Sequence, residues 1–141
     1  MSMKILATKL KMTQIWKGDI VVPVSPLKIQ DGAQLDSFKE GDQVKISGIV
    51  KGRGFQGVVK RWSFAGGPKT HGQKNRYRAP GSIGNTSPQR VLPGRKMAGH
   101  MGAVKKTIRN LKIVMVDKDQ SLLMVKGSVP GNINGKITIS K

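Results

Sequence analysis

A run of 74 residues, from Gln43 to Val116, contains no Asp or Glu and limits what this 141-residue chain can fold into. The run carries 16 of the chain's 26 Lys and Arg, so most of the formal net charge of +19 lies in one contiguous half. Like charges at this density repel one another and oppose compaction. We therefore expect a polyanionic partner to supply the missing negative charge.

The centre of this run, Ser63–Lys106, has neither the period-2 pattern of a strand nor the period-3.6 pattern of a helix. A connection longer than about 12–15 residues without regular structure is usually functional or disordered. His71, Tyr77 and His100 stand among its glycines, so it is not a low-complexity linker. We expect Gln43–Val116 to be largely disordered without its partner, because so few apolar groups cannot offset the ordering entropy.

Both ends of the chain instead carry short β-branched segments separated by turn residues, a pattern typical of antiparallel sheets. The predicted strands are Asp19–Val24, Gln43–Val50 with an irregularity at Gly48, Leu111–Val116, Ser121–Lys126 and Lys136–Ser140. One short helix is predicted at Gly54–Trp62. The sequence predicts a mainly β fold: a small antiparallel β-barrel from residues 1–50 and 108–141, with residues 51–107 as a long, irregular basic loop extension.

Nucleic acid is the polyanion that fits this composition. An anionic membrane would favour a long amphipathic helix, which the density of Gly and Pro in the basic run prevents. Nothing resembles a DNA-recognition helix, zinc finger or basic zipper, so RNA is favoured over DNA. Arg and Lys can contact phosphates, glycines allow close approach of the backbone, and aromatic and His side chains can stack on bases.

Catalytic and cofactor chemistry have little support in the sequence. The string Gly52–Gly57 matches G-x-G-x-x-G, but the acid that should follow about 20 residues later to hold a ribose is missing. The only histidines, His71 and His100, have no nearby carboxylate and no Cys to complete a zinc site. We expect no enzyme activity, no cofactor and no metal. The N-terminus lacks a signal-like apolar stretch, and no segment is long and apolar enough to span a membrane.

Several long strings resemble one known family in the family's own order. They are Lys9–Trp16, Gly48–Trp62, Gly66–Gly72, Arg78–Gly84, Gly94–Gly102 and Leu122–Gly131. Together they are similar to the universal L-three family of large-subunit ribosomal proteins, in a shortened bacterial version. The shortening falls between Val24 and Gln34, and Ala7 and Lys11 stand where the family has Gly.

The resemblance implies a β-barrel on the outside of the large ribosomal subunit and a loop that enters rRNA towards the peptidyl-transferase centre. Ser82–Arg95 would form the tip of that loop. Gln89 does not match the glutamine that some bacterial members methylate. The residues expected to bind rRNA are Lys51, Arg53, Phe55, Lys60, Arg61, Trp62, Lys69, His71, Lys74, Arg76, Tyr77, Arg78, Ser82, Asn85, Thr86, Ser87, Gln89, Arg90, Arg95, Lys96, His100, Lys105, Lys106 and Arg109.

The expected partners are large-subunit rRNA and neighbouring large-subunit proteins, with a role in subunit assembly. We expect neither a membrane partner nor a homo-oligomer, and we expect the bacterial cytosol as the location. Two alternatives remain open: a general RNA- or DNA-binding module outside the ribosome, and an enzyme that uses the glycine-rich turn for a nucleotide.

Overall fold

The chain divides into two compact units in a computed structural model that describes residues 4–30 and 32–141. The first, here called the ring unit, comprises the chain up to Lys51 together with Ala103–Lys141. The second, the loop unit, is Gly52–Gly102. Residues 1–3 and 31, which belong to the predicted barrel segment, lie outside the described residues.

Strands dominate the ring unit. Its strands are β1 Lys4–Lys9, β2 Thr13–Lys17, β3 Ile20–Ile29, β4 Gln43–Ile49, β7 Lys105–Asp117, β8 Leu122–Lys126 and β9 Lys136–Ser140, with a short 3-10 helix at Gly32–Ser37. The loop unit contains β5 Gly54–Gln56, α1 Val58–Trp62 and β6 Gly99–Met101. The predicted mainly β class is therefore confirmed.

Six strands of the ring unit are hydrogen-bonded in a closed circle. Their order is β1-β9-β4-β7-β8-β3, and every neighbouring pair is antiparallel. The circle closes because β3 also pairs with β1, from Ala7 opposite Ile29 to Lys9 opposite Leu27. The seventh strand, β2, pairs only with the first half of β3 and forms a hairpin with it.

Alternate residues of β1, β4, β8 and β9 fill the inside of this circle. In β4, Val44 and Ile46 are buried, whereas Lys45 between them is exposed, as expected for a strand with one wet face. The buried cluster consists of Ile5, Ala7, Leu27, Ile29, Leu35, Phe38, Val44, Ile46, Ile113, Leu123, Val125, Val129, Ile137 and Ile139. All of these residues belong to the ring unit, so its core does not depend on the basic loop.

Replacing Ile46 with Ala should lower the free energy of unfolding by about 2–5 kcal/mol, because Ile46 is fully buried and the missing atoms leave a cavity. The matched control is Ile49→Ala in the same strand, where the side chain is 65% exposed and the expected change is within about 0.5 kcal/mol. Urea unfolding followed by circular dichroism measures both. Equal effects of the two substitutions would contradict this account of the core.

The predicted strands are confirmed in place, and two of them, β3 and β7, are longer than expected. Lys136–Ser140 matches β9, and Ser121–Lys126 differs from β8 by one residue. The segment Leu111–Val116 is only the second half of β7. Its first half has no sequence periodicity of its own and is a strand because it pairs with β4, from Ile46 opposite Ile108 to Ile49 opposite Lys105.

The strand predicted at Asp19–Val24 continues to Ile29 and begins at Ile20. Its second half pairs with β8 on one side and with β1 on the other, which closes the circle. Pro26 lacks an N–H but its carbonyl accepts a hydrogen bond from the Leu10 N–H at 3.0 Å. The second half of β3 thus completes the ring.

The irregularity predicted at Gly48 is wrong in position. The register between β4 and β7 shifts between Val44 and Ile46 instead, where Asn110 of β7 has a positive φ of 59°. Gly48 keeps its register and is needed for space, since a Cβ there would lie 3.0 Å from Cγ2 of Ile137.

Strands were also predicted at the two ends of Gln43–Val116, and they are present, so the expectation that this run is largely disordered without RNA is wrong for its ends. Gln43–Ile49 and Lys105–Asp117 form β4 and β7, adjacent strands of the ring. Val44, Ile46 and Ile113 from these strands lie in its core. Apolar residues spaced at intervals of two supply the burial that the overall composition of the run conceals.

Candidate nucleic-acid interface

The loop unit is the most uniformly charged part of the chain. It contains ten Lys and Arg and no acid, a net charge of +10, whereas the ring unit has the remaining 16 basic residues and all seven acids. Its side chains are mostly exposed, and Val58 is the one buried residue among them. A hydrophobic core therefore cannot hold this unit, and its shape depends on hydrogen bonds.

The two chain segments at the base of the loop unit are joined by a short sheet. Strands β5 and β6 pair antiparallel, and the Arg53 N–H donates to the Met101 carbonyl at 2.8 Å. Phe55 and His100 are direct cross-strand partners, and both side chains are exposed. This pairing places two of the predicted stacking residues side by side, an arrangement that the sequence spacing of 45 residues did not predict.

Helix α1 follows this sheet and is shorter than the predicted Gly54–Trp62. The prediction is wrong for Gly54–Gln56, because Gly54 has a positive φ of 66° and this segment pairs with β6 as a strand. The helix ends where Ser63 adopts the left-handed conformation and its N–H bonds the Val58 carbonyl.

A single backbone carbonyl, that of Met97, receives two side chains from the end of α1. Nη1 of Arg61 and Nε1 of Trp62 both donate to it at 2.8 Å. The guanidinium of Arg61 lies 5.0 Å from the centre of the Trp62 ring, and the ammonium of Lys96 lies 5.6 Å from it. Gly99 leaves room for this arrangement, since a Cβ there would lie 2.5 Å from Nη1 of Arg61.

Farther along the loop, residues 66–77 form a compact turn, here called the glycine turn. The Gly67 N–H donates to the Tyr77 carbonyl at 3.1 Å, and the Tyr77 hydroxyl donates to the Gln73 carbonyl. A Cβ added at Gly66 would lie 2.1 Å from the carbonyl oxygen of Tyr77, and one added at Gly67 would lie 2.6 Å from the carbonyl oxygen of Arg76. No residue with a side chain fits the backbone at either glycine.

The predicted tip, Ser82–Arg95, is held by its two end residues. The Arg95 guanidinium donates to the Ser82 carbonyl, and the Ser82 hydroxyl donates to the Gly84 carbonyl at 2.8 Å. All residues from 81 to 98 are exposed. A cleft of about 340 Å³ lies between the two arms of the tip, lined among others by Ile83, Arg90 and Leu92.

The predicted site residues thus fall into two groups by what their side chains contact. Arg61, Trp62, Tyr77, Ser82 and Arg95 form hydrogen bonds within the loop unit. Others in this unit make no hydrogen bond or ion pair through their side chains within the described part of the chain: Arg53, Phe55, Lys60, Lys69, His71, Lys74, Arg76, Arg78, Asn85, Thr86, Ser87, Gln89, Arg90, Lys96 and His100. The first group shapes the loop, and the second is available to a ligand.

Four of the predicted residues, Lys51, Lys105, Lys106 and Arg109, belong to the ring unit instead. Lys51 lies near Lys9, whose ammonium donates to the carbonyls of Val129 and Gly131, both at 2.8 Å. Partial burial and, to a smaller extent, the charge of Lys51 lower the pKa of Lys9. The charges of Lys9 and Lys51 are therefore close enough to repel each other.

Sequence reasoning missed the Met97 carbonyl as an anchor, because a main-chain acceptor has no signature in the side-chain pattern.

Among residues 4–30 and 32–141 no group of His, Cys, Asp and Glu is placed to hold a metal ion. In the same residues, no helix is long and apolar enough to cross a membrane.

Comparison with known proteins gives consistent matches. The family model described as Ribosomal protein L3 matches residues 19–122. A protein of Dehalococcoides mccartyi strain BAV1, called large ribosomal subunit protein uL3, is 52% identical over 119 residues, which are 84% of this chain and 58% of the relative. A protein of the same name from Chloroherpeton thalassium is 52% identical over 114 residues, which are 80% of this chain and 55% of the relative.

A third relative, the large ribosomal subunit protein uL3 of Chlorobaculum tepidum, is 53% identical over 106 residues. These residues are 74% of this chain and 51% of the relative. The chain therefore spans a little more than half the length of the relatives that it matches.

Proposed function

Because this chain belongs to the ribosomal protein L3 family, we propose that it is a structural component of the large ribosomal subunit that binds the subunit's rRNA directly. The main support for the proposal is the composition of the loop unit, which contains ten Lys and Arg and no Asp or Glu. The relatives are named as large-subunit proteins, which favours rRNA as the polyanion.

The binding mechanism follows from how the loop unit is built. Carbonyls of Met97, Tyr77 and Ser82 hold the loop in shape, so ordering on binding costs less entropy than for a free chain. Lys69, Lys74 and other unpaired cations then neutralise phosphates, and Phe55 beside His100 offers surfaces on which bases can stack. No proton transfer or covalent step is involved, and the role is that of a binding protein rather than an enzyme.

We further propose that the tip Ser82–Arg95 reaches towards the peptidyl-transferase centre and that the chain aids assembly of the subunit alongside neighbouring ribosomal proteins. The tip is wholly exposed in the chain alone. Because an exposed segment rich in Gly, Pro and Arg contributes little to the stability of its own protein, contact with RNA is the use that its composition favours. Such a protein would act in the bacterial cytosol as part of the ribosome.

Cross-linking in large subunits purified from cells that express a tagged chain tests this function. We expect the tagged chain to sediment with the subunit and residues 52–102 to cross-link to its rRNA. In parallel, the purified protein should bind large-subunit rRNA more tightly than duplex DNA at equal salt. Equal affinity for both, together with failure to sediment with the subunit, would favour a general RNA- or DNA-binding module. Saturable binding of a free nucleotide at Gly52–Gly57 would instead favour the enzyme alternative.

A further inference from the structure

One outer face of the ring unit has the chemistry of a second RNA contact. Buried residues alternate with outward-facing ones along β1, β9 and β4, and the neighbouring strand β7 is exposed at most positions from Lys105 to Lys112. The outward polar side chains, here called the hydroxyl–lysine face, are Lys4, Thr8, Lys45, Ser47, Lys105, Thr107, Arg109, Lys112, Lys136, Thr138 and Ser140. Cross-strand pairs such as Lys45 with Ser140, and Ser47 with both Thr107 and Thr138, make the face continuous.

No described carboxylate belongs to this face, although Glu40 lines a cleft together with Lys112. Among the described acids, Asp36, Glu40 and Asp42 lie between β3 and β4, Asp117 and Asp119 lie at the turn from β7 to β8, and Asp19 lies in the hairpin turn from β2 to β3. Asp42 is the one closest in sequence to the face. Its carboxylate accepts hydrogen bonds from Nζ of Lys141 and from the Lys39 N–H, which lower its pKa, so its charge is already compensated.

The cations of the face have no such compensation. Lys4, Lys45, Lys105, Arg109, Lys112 and Lys136 make no ion pair within the part of the chain that the structure describes. The hydroxyls are little used internally, and the main side-chain hydrogen bond between them joins Ser47 to Thr107 at 2.8 Å. Six unpaired cations on one sheet face repel one another, and an external anion would relieve that repulsion.

We propose that the hydroxyl–lysine face binds the sugar–phosphate backbone of a double-stranded, A-form segment of RNA. Lysines suit phosphates, while Ser and Thr hydroxyls can both donate to phosphate oxygens and accept from ribose 2′-hydroxyls, which the wide minor groove of A-form RNA displays. The face has no aromatic side chain on which an unpaired base could stack, in contrast to the loop unit with Phe55 and His100. The large apolar side chains exposed on these four strands are Leu6, Ile49 and Met115.

This inference rests on the proposed function for the identity of the RNA, but the surface and its duplex preference are tested separately. The 141-residue protein is titrated with a 20-base-pair RNA duplex of mixed sequence and with a DNA duplex of the same sequence. Lys45→Gln combined with Lys136→Gln should weaken binding to the RNA duplex about 2- to 30-fold and reduce the slope of log affinity against log salt by about 0.9 per lost phosphate contact.

The control removes the same charge outside this face, with Lys17→Gln in β2 and Lys118→Gln in the turn between β7 and β8. At about 0.15 M salt the Debye length is about 8 Å, so distant charges should matter little and the control should bind nearly as the wild type does. Ser47→Ala with Thr107→Val leaves the charge unchanged and should lower the preference for RNA over DNA. Equal effects of the two lysine pairs would overturn the proposal, whereas failure of the wild type to select rRNA would count against the proposed function alone.

Discussion

Raising the salt concentration from about 50 to 200 mM is expected to weaken binding of this protein to rRNA by about 10³–10⁵-fold. The reason is that each Lys or Arg that contacts a phosphate releases a condensed counterion, and about 6–10 such contacts produce a change of this size. The loop unit alone offers ten cations with no internal carboxylate to compete for them. Fluorescence anisotropy titrations of an rRNA fragment at several salt concentrations measure the slope.

Three substitutions test whether the loop unit supplies those contacts. Lys69→Gln, Lys74→Gln and Arg76→Gln remove unpaired, exposed cations from the glycine turn and should lower the slope by about 0.7–0.9 per lost contact. A control that carries Lys17→Gln, Lys28→Gln and Lys39→Gln loses the same net charge from the ring unit. A wild-type slope that corresponds to only one or two counterions, or equal losses in both triple variants, would show that the loop cations are not the main contacts.

The charge pattern made the candidate interface predictable, and the strand pattern made the fold class predictable. Both signals are local: a carboxylate-free run can be read from composition, and Lys136–Ser140 alternates between apolar and polar residues as β9 does. Strands β1 and β2 were not predicted, because their apolar residues are few. Ile5 and Ala7 are buried by partners on β9 and β3, which lie far away in the sequence.

What the sequence could not reveal is how a loop without a core keeps a shape. The acceptors that hold it are the main-chain carbonyls of Met97, Tyr77 and Ser82, and every residue has such a carbonyl. The donors Arg61 and Arg95 were predicted to bind RNA because a guanidinium is typical of phosphate contacts, and the structure shows that each also bonds its own chain. Composition alone cannot separate these two uses of an arginine.

Replacing Gly66 with Ala is expected to open the glycine turn and to weaken rRNA binding at least about tenfold, a loss of about 1.4 kcal/mol of binding free energy. Two physical effects combine at this position. An L-residue at a φ of +81° costs about 1–2 kcal/mol, and the added Cβ would lie 2.1 Å from the carbonyl oxygen of Tyr77. The clash can be relieved only by moving the Tyr77 backbone, which breaks the hydrogen bond from the Gly67 N–H.

Gly72→Ala in the same turn separates these two effects. Gly72 has a similar φ of +78°, but nothing lies within 4 Å of its added Cβ, so this variant carries the backbone strain without the clash. We expect it to bind rRNA several-fold more tightly than the Gly66→Ala variant does. Hydrogen exchange of the Gly67 amide in the RNA complex provides a direct readout, because this amide should be protected in the wild type and in Gly72→Ala but not in Gly66→Ala. If the two variants bind and exchange alike, the close contact between Gly66 and Tyr77 does not shape the RNA-binding loop, and strain alone accounts for any loss.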